Sequence, residues 1–250
     1  MTALTSLAGR SALVVGGSGG IGAATAERLA ALGARVTVTY RNRAEEARAL
    51  LARLPGEGHA AVEANVEDSA SLARLAQEMA ADGGVLHILV NAAGFTRAIK
   101  HADLDALDDA FIDRMFAVNW RGSFAAVRAF APLLTASGDG LVVNVSSIAG
   151  QNGVGSNIAY CAVKAGIDVM TKSLARALAP AVRVMAVSPG VVDTDFVPGR
   201  DASFNEKVGA TIPLKRIASA GDVADAIVAC ATTLRYSTGS ILMVDGGRAL

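Results

Sequence analysis

Along the chain, short runs of aliphatic and β-branched residues alternate with longer stretches in which apolar side chains return every three or four positions. The short runs, at residues 12–15, 35–39, 60–63, 88–90, 141–145, 183–187 and 240–244, read as strands that are apolar on both faces. The longer stretches, at 20–32, 44–53, 69–82, 108–135, 157–179 and 221–234, have the spacing of a helix with one buried face. Regular alternation of the two kinds predicts an α/β fold, with one parallel sheet of seven strands and helices on both faces. Right-handed crossovers make such a sheet doubly wound. Residues 191–215 break the pattern: Pro198, Gly199, Gly209 and Pro213 follow the carboxyl end of the sixth strand, where a mobile lid is expected.

Length and composition add limits. The 250 residues are 52% hydrophobic, with no composition break or long linker, so one domain spanning 1–250 is expected. The 23 basic and 23 acidic side chains cancel, which leaves no global field for nucleic acid or an anionic membrane. No apolar run approaches a membrane span, and residues 1–6 lack the charged and apolar regions of a leader. Cys161 and Cys230 are far apart and indicate neither a disulfide framework nor a metal site, which fits a cytoplasmic protein.

Candidate chemistry begins after the first strand, at Gly16-Gly17-Ser18-Gly19-Gly20-Ile21-Gly22. A glycine-dense turn that opens a helix turns backbone N–H groups toward a pyrophosphate, and lets the ligand come close. The same residues also read as G-x-S-x-G, a nucleophile elbow with Ser18 as nucleophile. That alternative needs a late histidine, whereas His59, His87 and His101 all precede the last three strands and suit a solvated surface. After the second strand, Tyr40-Arg41-Asn42-Arg43 stands where a dinucleotide fold meets the adenosine ribose. No carboxylate is present to select a free 2′-hydroxyl, and the two arginines suit a 2′-phosphate, so NADP(H) is expected over NAD(H).

Further along, Asn91-Ala92-Ala93-Gly94 ends the fourth strand with small residues suited to a close ligand. Asn119 lies in an apolar helical stretch and Ser147 follows the fifth strand; each alone reads equally as hydrogen-bonded structure. Tyr160 and Lys164 are four residues apart, so on a helix they share a face. An ammonium beside a phenol is expected to lower the phenol pKa from its usual value near ~10 toward working pH.

In this order and spacing, these residues resemble the short-chain dehydrogenase/reductase family of the common type near 250 residues. The resemblance covers nearly the whole chain: Gly16, Gly20 and Gly22; Asn91 to Gly94; Asn119; Ser147, thirteen before Tyr160; Lys164; Pro189-Gly190 with Thr194; and Asp245-Gly246-Gly247. It implies a single Rossmann-fold domain with strand order 3-2-1-4-5-6-7. There are three departures. The usual Thr heading the glycine turn is Val15, which removes a hydroxyl tying the turn to the Asn91 segment. The Asp near the adenine is Asn65, and the basic residue found inside the turn of many NADP users is Gly19, leaving Arg41 to carry most of the cofactor preference.

The resemblance implies hydride transfer between a nicotinamide and a small carbonyl or secondary alcohol. Tyr160 would act as general acid or base, Lys164 would tune it and hold the nicotinamide ribose, and Ser147 would stabilise the substrate oxygen. Asn119 would hold a water linking Lys164 to solvent. Gly16, Ser18, Gly20, Ile21, Gly22, Arg41, Asn65, Val66, Asn91, Ala92, Ala93, Gly94, Pro189, Gly190, Val192 and Thr194 would contact the cofactor, the last two at its carboxamide. Phe95, Arg97, Gln151, Asn152 and residues 195–215 are candidate substrate walls. Arginines that dock an acidic carrier in fatty-acid-synthesis reductases are replaced here by Gly138 and Ala181, which disfavours that role. The family also implies a homotetramer, or a dimer, built through 108–135 and 157–179. A regulatory protein that binds the cofactor without turnover is the other class considered.

Overall fold

In the computed structural model, which describes residues 6–81 and 83–250, seven parallel strands form one sheet. They are β1 (Ser11–Val15), β2 (Arg35–Tyr40), β3 (Ala60–Glu63), β4 (Ile88–Asn91), β5 (Gly140–Val145), β6 (Val182–Pro189) and β7 (Ile241–Val244). Their order is β3-β2-β1-β4-β5-β6-β7, as expected. The reading of residues 1–5 as lacking a leader, and residue 82 at the end of the third expected helix, lie outside the described residues.

The helices α1 (Gly20–Ala31), α2 (Ala44–Leu51) and α9 (Ala220–Thr232) cover one face of the sheet. On the other face lie α3 (Ser69–Ala81), α5 (Gly122–Ala136) and α7 (Ile158–Leu178). Alternation along β1 shows why both faces needed apolar residues: Ala12 and Val14 join Leu29, Val223 and Ile227, while Leu13 and Val15 join Leu72, Phe130 and Leu134. All ten of these side chains are buried, and shielding them from water is the main favourable contribution to such a fold.

Three local differences from the expected elements bear on the site. The stretch expected as one helix over 108–135 is α4 (Asp109–Met115), a π-helical turn (Phe116–Arg121) and then α5. A short α6 (Ala149–Asn152) follows β5. The expected lid contains a regular helix, α8 (Ala202–Thr211), whose first turn is capped by Asp201 accepting from the Phe204 N–H at 2.8 Å.

Two histidines also differ from the solvated role expected of them. His59 and His87 are half-buried, and their Nδ1 atoms accept the Val36 and Ser11 N–H groups at 3.0 and 3.1 Å. Both sit at the amino ends of strands, beside a hollow of about 570 Å³ at the edge opposite the glycine turn. Burial lowers the His87 pKa, as suits a neutral acceptor.

Candidate active site

The glycine turn leaves the carboxyl end of β1. Gly16 has φ +80°, and a Cβ there would lie 2.6 Å from the Ala93 backbone, so only glycine admits the Asn91–Gly94 segment alongside. Thr39 secures the turn: its hydroxyl accepts the Gly16 N–H at 3.1 Å and its carbonyl the Gly17 N–H at 3.0 Å. The turn is thus tied to β2, while the tie to Asn91 that a threonine at position 15 would supply is not replaced.

No side chain caps α1 at Gly19, and no acidic residue stands in its first turn. The amides of Gly20, Ile21 and Gly22 are thus unclaimed by side chains at the positive end of a helix dipole. Thr194 faces them, with its methyl 3.5 Å from the position of a Gly20 Cβ. This donor set fits a pyrophosphate. It does not fit a hydrolase: Ser18 lies at the carboxyl end of β1, whereas His59 and His87 are spent on backbone at the amino ends, and His101 meets the Gly155 carbonyl.

Beyond β2 the two arginines are held by different partners. Arg41 is held by Glu67 at 3.1 Å, and Glu67 also meets Arg114 at 3.3 Å. Arg43, paired with Glu46 at 2.9 Å, extends over the turn, and its Nη1 lies 3.1 Å from where a Gly19 Cβ would be. A cation thus occupies the neighbourhood of Gly19, supplied from another element. The Asn65 side chain accepts the Glu67 N–H at 3.0 Å, and Val66 packs where a Gly122 Cβ would go.

Asn119, in the π-helical turn, is buried. Its Nδ2 donates to the carbonyls of Phe95 and Met115, and its Oδ1 accepts the Phe95 N–H. It fastens the chain just beyond Gly94, where a Cβ would lie 2.5 Å from the Asn119 oxygen. The extra residue of a π turn redirects the side chain, a device frequent at functional sites.

Tyr160 and Lys164 lie on one face of α7, with the lysine Nζ 5.6 Å from the centre of the phenol ring. The start of α7 is set by Asn157, which sequence reading passed over despite its N-cap spacing. Its Oδ1 accepts the Tyr160 N–H at 2.7 Å, and its Nδ2 donates to Thr96 Oγ1 and the Arg97 carbonyl. Lys164 Nζ donates to the Val145 carbonyl at 2.8 Å, two residues before Ser147 in the chain.

The electrostatics differ from the expected lowered phenol. Burial pushes Tyr160 up to about 12, opposed by a side-chain hydrogen bond with Ser147 and the charge of Arg200. Burial also pushes Lys164 down to about 8, opposed by Asp168. Desolvation outweighs pairing because Lys164 is buried and Tyr160 half-buried, and a lysine with a weakened charge holds a phenolate poorly. Asp168, one turn beyond Lys164, is buried too, and burial raises its own pKa. It was also missed in the sequence.

Beyond β6, Pro189 and Gly190 meet the last strand, where a Gly190 Cβ would lie 3.0 Å from Asp245 Cα. Val192 pairs with Ala218 in an isolated bridge that leads to Thr194. The segment after β6 places Phe196 6.0 Å from the Tyr160 ring. Phe95 stacks edge-on with Phe111, while Gln151 and Asn152 lie on exposed α6. Arg97 is not free to line a pocket, because it bonds Asp108 and the Ala106 carbonyl and covers the Phe111 ring.

A family model described as Enoyl-(Acyl carrier protein) reductase matches residues 16–249. A Streptomyces violaceoruber protein assigned as ketoacyl reductase 2 of the granaticin polyketide synthase is 41% identical over 241 residues, 96% of each chain. The chain belongs to the short-chain dehydrogenase/reductase family. Another relative in this dehydrogenase/reductase group, cis-4-hydroxycyclohexanecarboxylate dehydrogenase of Sinomonas cyclohexanicum, is 38% identical over 95% of this chain and 96% of its own. The crystal structure of a dehydrogenase/reductase from Sinorhizobium meliloti 1021 superposes with a TM-score of 0.88 at 35% identity, covering 98% of this chain and 96% of that one. As a short-chain dehydrogenase/reductase, the protein is an oxidoreductase of a family that uses a nicotinamide cofactor. Among the described residues no helix is long and apolar enough to cross a membrane.

Proposed function

We propose that the chain reduces a small carbonyl compound, or oxidises the matching secondary alcohol, with NADP(H) in preference to NAD(H). One observation carries this reading: Tyr160 and Lys164 share one face of α7, with the ammonium 5.6 Å from the centre of the phenol ring and bonded to the Val145 carbonyl at the end of the strand that leads to Ser147. When bound, the cofactor gives hydride to the carbonyl carbon or takes it from the alcohol carbon. The chain's residues provide the proton and the geometry. A phenol held near 12 is protonated at neutral pH, so Tyr160 is set to donate its proton to the carbonyl oxygen as negative charge develops there. Ser147 donates a hydrogen bond to the same oxygen. Lys164 holds the ribose and shares its charge with the phenol, and Asn119 fixes the Phe95 backbone and a water path behind Lys164.

The amides of Gly20 to Gly22, with Gly16 and Ser18, take the pyrophosphate. Asn65 and Val66 flank the adenine, Asn91 to Gly94 border the ribose, and Pro189, Gly190, Val192 and Thr194 hold the carboxamide. Arg43, with Arg41, favours the 2′-phosphate. Residues 1–250 act as one domain with 191–215 as its lid, in a cytoplasmic homotetramer or dimer. The names of the two relatives support 3-oxoacyl compounds and cyclic alcohols as substrate candidates. Gly138 and Ala181 still supply no cation for an acidic carrier, which favours free substrates. A panel of ketones, oxoacyl thioesters and alcohols followed at the nicotinamide absorbance, with NADPH and NADH side by side, tests the reading. Turnover that Tyr160→Phe abolishes without loss of cofactor binding is the expected result. Full activity in that variant would refute the assignment of the proton donor.

A further inference from the structure

The two members of the Tyr160–Lys164 pair are fastened to different parts of the fold. Lys164 is gripped from β5 and α6: its Nζ donates to the Val145 carbonyl, its own carbonyl accepts the Ser146 hydroxyl at 3.2 Å, and a Cβ on Gly150 would lie 2.6 Å from its carbonyl carbon. Tyr160 stands one turn earlier, in the first turn of α7, where a backbone N–H has no acceptor within the helix. That N–H is taken by the Asn157 side chain.

Asn157 is buried, and both hydrogens of its amide are used as well as its oxygen. The hydrogens go to Thr96 Oγ1 at 3.1 Å and to the Arg97 carbonyl at 2.9 Å. Its neighbour repeats the docking: Ser156 Oγ lies 2.6 Å from the Thr96 hydroxyl, and the Ser156 carbonyl accepts the Ile99 N–H at 2.7 Å. Residues 96–99 are therefore bonded across the start of α7. They continue the chain from Asn91–Gly94, and Asn119 pins that chain at Phe95 through both backbone groups. Capping alone asks for none of this, because a serine or aspartate would accept the Tyr160 N–H as well.

We infer that Asn157, with the buried Thr96 hydroxyl as its counterpart, is a positioning residue that transmits the placement of the Asn91–Gly94 segment to the Tyr160 phenol. The inference rests on the proposed reductase reading, in which that segment borders the cofactor ribose and Tyr160 gives the proton. Cofactor and proton donor are then set by one bonded path, through Phe95, Thr96 and Asn157. Lys164, fixed from β5, stands outside it. Misplacing a reacting group by about 1 Å costs on the order of 10²-fold in rate, so a loosened path is read in turnover before it is read in binding.

Three variants of the full chain separate this role from capping. Asn157→Ser keeps a capping oxygen and gives up both amide donors, Thr96→Val removes an acceptor with the cap left in place, and Thr96→Ser retains the hydroxyl. A loss of kcat of about tenfold or more is expected in the first two, with KM and the number of NADPH sites per chain unchanged, whereas Thr96→Ser keeps most of the wild-type kcat. Counting NADPH sites by fluorescence titration distinguishes positioning from partial unfolding, which would lower sites and kcat together. Wild-type kcat in both Asn157→Ser and Thr96→Val, or a loss matched by lost NADPH sites, overturns the inference. Amide hydrogen exchange supplies a readout that needs no turnover. NADP+ is expected to slow exchange over residues 156–161 in the wild type and much less in Thr96→Val; equal slowing in the two also overturns it. Thr96-dependent slowing in a wild type that turns over no carbonyl or alcohol would uphold the link and remove the reductase reading. Turnover that neither variant alters would do the reverse.

Discussion

Val15 of β1 and Asn91 of β4 are register partners across the sheet, and the Asn91 side-chain oxygen is buried without a hydrogen-bond donor. Partners in a parallel sheet project to the same face. The other end of the amide is satisfied, since Nδ2 donates to Asn144 Oδ1 at 2.9 Å and to the Ser123 carbonyl at 3.3 Å. Only the oxygen is orphaned, beside a side chain that has no hydrogen to offer.

Val15→Thr supplies that hydrogen at nearly constant volume. A gain of about 1 kcal/mol is expected from satisfying a buried acceptor, or a rise in Tm of roughly 2–4 °C for a chain of this size. Thermal unfolding of the single variant, and of the same change in an Asn91→Ala background, checks it. The gain should vanish in the second background; a gain that persists there would place its origin elsewhere.

The enclosed lysine makes stability depend on pH in a definite direction. Lys164 falls from 10.5 to about 8 on folding, so between those values the unfolded chain binds more protons than the folded one. Stability therefore rises with pH across that window, and is lost as pH falls through about 8. Denaturant titrations of wild type and Lys164→Met should diverge: relative to the variant, the wild type gains stability from pH 8 to pH 10.5. A difference between the two that stays constant with pH would mean that Lys164 keeps its solution pKa.

Gly22 locks the first turn of α1 onto the end of β1, because a Cβ there would overlap the Gly16 carbonyl oxygen and press on Gly17 Cα. Backbone meets backbone, so no rotamer change relieves the clash. Gly22→Ala should cost about 1–3 kcal/mol of stability and weaken dinucleotide binding more than substrate binding. Unfolding and cofactor titration read the two effects separately. Wild-type cofactor affinity in this variant would show that the turn can shift without losing its amides.

Most of the sheet was legible because a parallel strand buried on both faces leaves a continuous apolar run, as in 12–15 and 183–187, and glycine or proline brackets it. The helices were legible wherever one face was apolar for several turns. The π turn at Phe116–Arg121 left no mark, since a one-residue expansion inside an apolar helix preserves composition and only reorients Asn119. α8 was hidden by its setting among glycine and proline and by its short apolar stripe. At the site, spacing brought out Tyr160, Lys164 and Ser147, whose chemistry is carried by residue type. It did not bring out Asp168, which stands out through its burial and an oxygen that lacks a partner. The phenol pKa was misread for a related reason: sequence spacing shows the ammonium but not the desolvation that weakens it.

Cofactor preference offers the sharpest contrast between neighbours in sequence. Arg41 is tied to Glu67, which also binds Arg114, whereas Arg43 reaches over the glycine turn and, among the described residues, pairs only with Glu46 on its own helix. A 2′-phosphate would compete with Glu67 for Arg41 but would find Arg43 already at the turn. Arg43→Ser should therefore lower the ratio of kcat/KM for NADPH over NADH by about tenfold, the ~1.5 kcal/mol of one charge-assisted hydrogen bond. Arg41→Ser should lower it less, and Glu67→Gln, which frees Arg41, should raise it. Steady-state kinetics with both cofactors on the three variants decides the matter. A larger loss at position 41 than at 43 would return the main role to Arg41.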